Sequence, residues 1–180
     1  GYALAEAARD RGAKAILITA PTSLQVPPMV EVIQIQTAQQ MCDAVQSQLE
    51  GADALIMAAA VADYRPVTSA EQKIKKAQQE LTINLTKTTD ILETSTGTFV
   101  KVGFSAESEN LIANASEKVL RKSLDLIVAN DITDPDSGFG RDTNRVVLID
   151  RQLQVEELPV LSKYEVSNRI LDRVQAMLRG

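Results

Sequence analysis

Residues 54–62, Ala-Leu-Ile-Met-Ala-Ala-Ala-Val-Ala, form an unbroken apolar run that stops abruptly at Asp63-Tyr64-Arg65-Pro66. The run is short and has no polar alternation. Such a segment suits a strand covered on both faces inside a parallel sheet. Its small alanines let a neighbouring backbone or a ligand come close. Asp63 is then expected just past the carboxyl end of the strand, where open α/β sheets bind ligands. Further on, Lys73-Ile74-Lys75-Lys76 is placed to fold over that crevice. A carboxylate at a strand end with ammonium groups nearby suits a nucleoside triphosphate. A core strand, an ordinary turn and a solvated basic hairpin account for the same spacing equally well.

The rest of the chain alternates strand and helix. Residues 1–11 have a helical pattern, with Leu4, Ala7 and Ala8 on one face, closed by Gly12. Residues 13–19 and 30–35 read as strands. Thr37 caps a helix over 38–49, in which Met41, Ala44, Val45 and Leu49 keep helical spacing. Residues 65–86 break this rhythm. Lys73–Ala77 and Leu81–Leu85 read as two short strands around a polar turn, and Leu81, Ile83 and Leu85 alternate with polar residues as on a half-buried ribbon. That ribbon is a flap, a dimer contact or both. Thr89-Asp90-Ile91-Leu92 opens a short helix whose first backbone N–H groups face an anion readily.

A strand follows over 99–104. A helix over 110–123 carries Lys118 and Lys122 on one face, a spacing that by itself describes a solvated surface. Residues 124–129 read as a buried strand ending at Asn130-Asp131. The loop Asp134-Pro135-Asp136-Ser137-Gly138-Phe139-Gly140 is rich in turn residues. A hairpin is expected from 146–149 and 154–158. Ser162 and Glu165 make a capping box for a last helix with Val166, Ile170, Val174 and Leu178 on its buried face. This alternation predicts a three-layer, Rossmann-like α/β sheet with helices on both faces, plus the β-ribbon over 65–86.

Composition narrows the chemistry. The 180 residues contain no histidine, which removes the commonest general base, most zinc sites and any Ser-His or Cys-His pair. Lysines, carboxylates, amides, backbone donors or a hard metal ion must do the work. The net charge of -5 argues against nucleic acid as the main partner. Cys42 is the single cysteine, so no disulfide forms within the chain, and a reducing, cytoplasmic setting is expected. No apolar run is long enough to span a bilayer, so no membrane partner is expected.

Taken in order, Ala59-Ala60-Val61-Ala62-Asp63-Tyr64-Arg65-Pro66, Lys73-Ile74-Lys75-Lys76, Val102-Gly103-Phe104-Ser105-Ala106-Glu107, Ala129-Asn130-Asp131 and Gly138-Phe139 carry a resemblance. They resemble the phosphopantothenate–cysteine ligase family, in the form found as the C-terminal half of the bacterial bifunctional coenzyme A biosynthesis flavoprotein. The resemblance runs over essentially all of residues 1–180 as a single domain. It implies ligation of 4'-phosphopantothenate to L-cysteine with CTP and Mg²⁺, through an acyl-cytidylate.

The resemblance also implies roles. Ala59, Ala60, Val61, Ala62 and Asp63 would line the nucleotide site. Thr89, Asp90, Ile91 and Leu92 would form the helix opening that meets the nucleotide. Phe104 would flank it, and Lys73, Lys118 and Lys122 would hold the triphosphate. Lys73, Asn130 and Asp131 would be the catalytic set, with the metal ligands unassigned. The family also implies a homodimer and a fused decarboxylase domain that would carry FMN outside this chain. It has a strand and a glycine-rich loop before the position of Gly1, and that region contributes to the acyl-substrate site. The expectation is therefore a ligase domain lacking its first strand, with nucleotide binding retained and turnover reduced. Two other readings stay open. One is an NAD(P)- or flavin-dependent oxidoreductase, which would need a G-x-G-x-x-G loop that is absent here. The other is a nucleotide-binding fragment without turnover.

Overall fold

The computed structural model describes residues 1–68, 72, 82–131 and 142–180. Its centre is strand β6 (Val100–Glu107), which pairs in parallel with β3 (Ala54–Met57) on one side and β7 (Leu126–Asp131) on the other. Strands β9 (Val146–Asp150) and β10 (Val155–Glu157) complete a five-stranded mixed sheet in the order β10-β9-β7-β6-β3, with the β10-β9 and β9-β7 joins antiparallel. Period-2 alternation sorts the side chains of this sheet onto two faces.

On one face Val100, Val102, Leu126, Val128, Val146 and Leu148 pack on helices α1 (Tyr2–Asp10) and α5 (Lys163–Arg179) through Leu4, Val166, Ile170 and Val174. On the other, Ile127, Ala129 and Ile149 pack on α4 (Leu111–Arg121) through Ala115 and Val119, and on Leu92 of the one-turn helix α3 (Ile91–Thr94). Burying each of these aliphatic side chains is worth about 1.5–3 kcal/mol. The result is the expected three-layer α/β sandwich with helices on both faces.

Strands β1 (Ile16–Thr19) and β2 (Glu31–Gln34) form a separate parallel pair. Helix α2 (Ala38–Gln48) lies over both sheets: Met41, Cys42 and Val45 pack against Ile18 and Ile33 of one and Leu55 and Met57 of the other. Among the described residues, β1 and β3 share no sheet hydrogen bonds. Thr37 caps α2 as expected, and Gln40 completes the box by accepting from the Thr37 N–H at 3.1 Å. Ser162 and Glu165 do the same for α5.

Four expectations need correction. The apolar run is not one strand through Ala62. Pairing ends at Met57, opposite Gly103, and all four β3 residues are only half-buried because β3 has a single paired neighbour. Asp63 therefore sits beyond a loop, not directly at the strand end. The described ribbon is β4 (Tyr64–Pro66) against β5 (Leu85–Lys87), not a strand ending at Leu85. Ile83 and Leu85 are 59% and 55% exposed, so nothing among the described residues covers them. Leu178 is also exposed, because the last turn of α5 runs past the edge of the sheet. Lys73–Ala77, Leu81 and the loop from Asp134 to Gly140 lie outside the described residues. The remaining two short strands, β8 (Thr143–Asn144) and β11 (Leu161–Ser162), pair antiparallel beside the start of α5.

Candidate functional site

Strand β6 outruns β3 by four residues. Phe104 to Glu107 pair with β7 on one side only, so a stretch of backbone donors and acceptors is open on the β3 side. The loop over 58–63 leaves β3 at this level. The Thr88 hydroxyl donates to the Ala62 carbonyl, and the Thr88 N–H donates to the Asp63 carbonyl at 2.9 Å. These bonds hold exposed Asp63 next to Thr89 at the base of the ribbon. Asp90 caps α3 by accepting from the Glu93 N–H at 3.2 Å. On the far side of β6, Asn130 and Asp131 close β7, in register with Ala106 and Glu107. The structure thus sets the alanine loop, Phe104 and Asn130–Asp131 at the carboxyl ends of three adjacent parallel strands, with Asp63 tied to Thr88 beside Thr89; Leu92 lies lower, against Lys101 and Gly103 in the first half of β6.

Individual roles differ from the expectation. Ala59, Ala60 and Ala62 are exposed in the loop, but Val61 turns inward against the α2 cluster, and the Ala62 carbonyl is taken by Thr88. Ile91 and Leu92 are buried in the core, so only their backbone can meet a ligand. Phe104 is half-buried and packs beside the α5 cluster, leaving part of its ring at the open edge.

Lys118 is not a free surface cation. It makes a salt bridge with the buried Glu107 carboxylate, which also accepts from Asn114 at 3.3 Å. Lys122 pairs with Asp90 at 2.7 Å. Burial raises the Asp90 carboxyl pKa. The Lys122 and Glu93 hydrogen bonds and the Lys122 and Arg121 charges outweigh it and hold the pKa below the usual range. Both lysines therefore stand at the site already engaged with carboxylates. Lys73 lies outside the described residues.

Three further groups were not picked out from sequence. Arg65 and Lys87 come from the paired strands β4 and β5. With Thr88, Thr89 and the first turn of α2, Ala38 and Gln39, they line a small cavity of about 50 Å³. Only the hairpin pairing brings these two residues to the lining of one cavity. Asn144 of β8 donates its Nδ2–H to Asn130 Oδ1 at 2.8 Å. A polar residue just before a strand was the only hint of it in the sequence.

These features define a Rossmann-like α/β domain with polar and charged groups gathered at the carboxyl ends of its parallel strands, where open α/β sheets place their binding crevices. The chain belongs to the DFP family, the DNA/pantothenate metabolism flavoprotein C-terminal domain, whose profile matches residues 1–178.

Among curated relatives it is 42% identical over 181 residues to the coenzyme A biosynthesis bifunctional protein CoaBC of Bacillus subtilis (strain 168), covering 98% of this chain and 45% of that protein. It is 37% identical over 184 residues to a cysteine/cysteine sulfinic acid decarboxylase from an unknown prokaryotic organism, covering 99% of this chain and 51% of that protein. The chain therefore spans about half the length of the curated relatives it matches. Among solved structures, the C-terminal domain of a CoaBC protein superposes with a TM-score of 0.83 at 36% identity, covering 99% of this chain and 82% of that one.

Proposed function

We propose that this domain binds CTP at the carboxyl ends of β3, β6 and β7. We propose further that, as part of a longer cytoplasmic protein, it ligates 4'-phosphopantothenate to L-cysteine through an acyl-cytidylate. The observation that carries this reading is the one-sided edge of β6 at Phe104–Glu107, with Lys118 paired to Glu107 at its end. The substrates come from the kinship to CoaBC proteins and from the chemistry the residues allow. Family membership favours this over an oxidoreductase.

The first step is attack of a carboxylate on the α-phosphorus of a triphosphate. Both partners are anions, so the residues must position them and offset charge. Lys118, Lys122, Arg65 and Lys87 are described cations that we assign to the site, and the family resemblance adds Lys73, which lies outside the described residues. Among the described residues no cluster of three or more histidine, cysteine or acidic side chains could hold a metal ion. Mg²⁺ entering with the nucleotide would supply charge neutralisation at its phosphates. In the second step the cysteine amine attacks the mixed anhydride, and Asn130 is placed to donate to the resulting oxyanion.

In a longer protein of the kind the relatives represent, we propose that a further strand joins β1 to β3. The two sheets share α2, and neither of these edges pairs with the other. A fused decarboxylase domain carrying FMN agrees with the length of the relatives. No helix among the described residues is long and apolar enough to cross a membrane.

Calorimetric titration with CTP, ATP and NADPH tests the nucleotide site. Saturable CTP binding is expected, weakened at least about tenfold in Lys122→Ala, a change of roughly 1.4 kcal/mol. Lys73→Ala is expected to slow pyrophosphate release. NADPH binding in place of CTP would overturn the reading.

The ribbon supports a homodimer contact. Tyr64, Val67, Ile83 and Leu85 expose a cluster of large apolar side chains at its described end. Leu85→Asp is expected to shift the sedimentation coefficient from dimer to monomer. A monomeric wild-type chain, or a dimer unaffected by Leu85→Asp, would remove the ribbon from the interface.

A further inference from the structure

We propose that Asn144 fixes the orientation of the Asn130 side-chain amide, so that Asn130 turns its Nδ2 hydrogens, not its carbonyl oxygen, toward the crevice. The proposal rests on the ligase reading above and assigns Asn144 a positioning role within it. A side-chain amide has a donor end and an acceptor end of nearly equal shape. Asn130, half-buried at the end of β7, would present either end to the crevice with similar ease if nothing else chose between them. Asn144 chooses: its Nδ2–H donates to Asn130 Oδ1 at 2.8 Å. With Oδ1 engaged, the NH₂ group is the end left to face exposed Ala106 and the open strand ends.

The surroundings of Asn144 point the same way. Its backbone is anchored by the strand pairing on either side of it. Asn144 pairs with Leu161 in the β8–β11 ladder, and the Lys163 N–H donates to the Asp142 carbonyl at 2.9 Å. Two residues later, Val146 pairs with Asn130 itself in the main sheet. Asn144 is more than nine-tenths buried, and its own Oδ1 has no hydrogen-bond partner. An orphaned buried carbonyl opposes folding. An apolar residue of similar size would serve the fold better, so packing does not account for an amide here. The hydrogen bond to Asn130 does.

The chemistry served is the second half-reaction. The amine nitrogen of cysteine forms a bond to the acyl carbon, and the carbonyl electron pair moves onto oxygen. On collapse the oxyanion pair re-forms the carbonyl, the bond from the acyl carbon to the bridging oxygen breaks, CMP leaves with the electron pair of that bond, and the ammonium proton passes to solvent. A donor aimed at the transient oxyanion speeds this step, whereas a carbonyl aimed at it would repel the charge.

Two measurements test this. In the isolated chain, a trans-hydrogen-bond NMR coupling from Asn144 Nδ2 to Asn130 Cγ is expected. It reports the orientation without ligand, whatever the nucleotide proves to be. A coupling in the reverse direction, from Asn130 Nδ2 to Asn144 Cγ, would overturn the proposal. In the full-length protein, Asn144→Asp offers only acceptors and must invert Asn130. Ligation kcat is expected to fall at least about 100-fold, with CTP affinity and pyrophosphate release changed less than about twofold. Asn144→Ala, which merely frees Asn130, is expected to lose about tenfold by the same logic. Equal losses in the two variants, or parallel losses in CTP binding, would mean that Asn144 serves the fold alone.

Discussion

Gly103→Val is expected to destabilise the domain by about 1–3 kcal/mol and to weaken nucleotide binding together with stability. Gly103 lies in the middle of β6, on the face covered by α3 and α4. A Cβ there would come within 2.8 Å of Leu124 Cδ1 and 3.2 Å of Leu92 Cδ1. Leu124 is fully buried and has nowhere to retreat, so the strain falls on Leu92, which belongs to the one-turn helix α3. Pushing Leu92 outward moves the Thr89–Asp90 turn and pulls Asp90 from Lys122. The glycine is thus a close-approach position that lets the helix opening sit against the sheet. Urea unfolding and CTP calorimetry should show both losses. The double variant Gly103→Val with Leu124→Ala should recover part of each, because removing the Leu124 side chain makes room for the new methyl groups. A Gly103→Val protein with unchanged stability would mean that the contact relaxes without cost.

What the sequence made legible follows from how local each signal is. The caps of α2 and α5 are written within four residues, Thr37 to Gln40 and Ser162 to Glu165, and both are formed. The stripe Val166, Ile170, Val174 is periodic and is buried. The layer order followed from the alternation of strands and helices. The apolar run was harder, because alanine suits a strand, a loop and a helix alike. Only the register with β6 shows that the strand ends at Met57. The ribbon misled for a related reason. Alternation in Ile83 and Leu85 signals a covered face but not which molecule covers it. Arg65 and Lys87 come to one cavity only through a hairpin, and Asn144 reaches Asn130 only through tertiary packing, so neither arrangement has a sequence signature. Lys118 and Lys122 were legible as neighbours on one helix face. Their carboxylate partners, Glu107 from β6 and Asp90 before α3, come from two other elements.

That pairing sets the second large effect. In Lys118→Ala, CTP affinity is expected to fall at least about tenfold, whereas Glu107→Gln is expected to raise it about two- to fivefold. The Lys118 side chain is about one-third exposed and the Glu107 side chain only 10% exposed, so the carboxylate is the deeper partner and the ammonium the one able to swing out. A triphosphate carries several charges and competes for that ammonium. Binding it means weakening the bond to Glu107, and part of the attraction is spent on leaving a buried carboxylate less well compensated. Glu107→Gln removes this penalty because a neutral amide tolerates the loss of its cation. Lys118→Ala removes the cation and strands Glu107, so it should also lower stability, whereas Lys118→Met keeps the aliphatic stem and separates packing from charge. Titrations of all three variants at low and high salt decide the matter. If Glu107→Gln weakens CTP as much as Lys118→Ala does, Glu107 is holding Lys118 in its binding position and not competing with the nucleotide for it. The pair would then act as one preformed unit, and the gain expected from neutralising the carboxylate would be absent at every salt concentration.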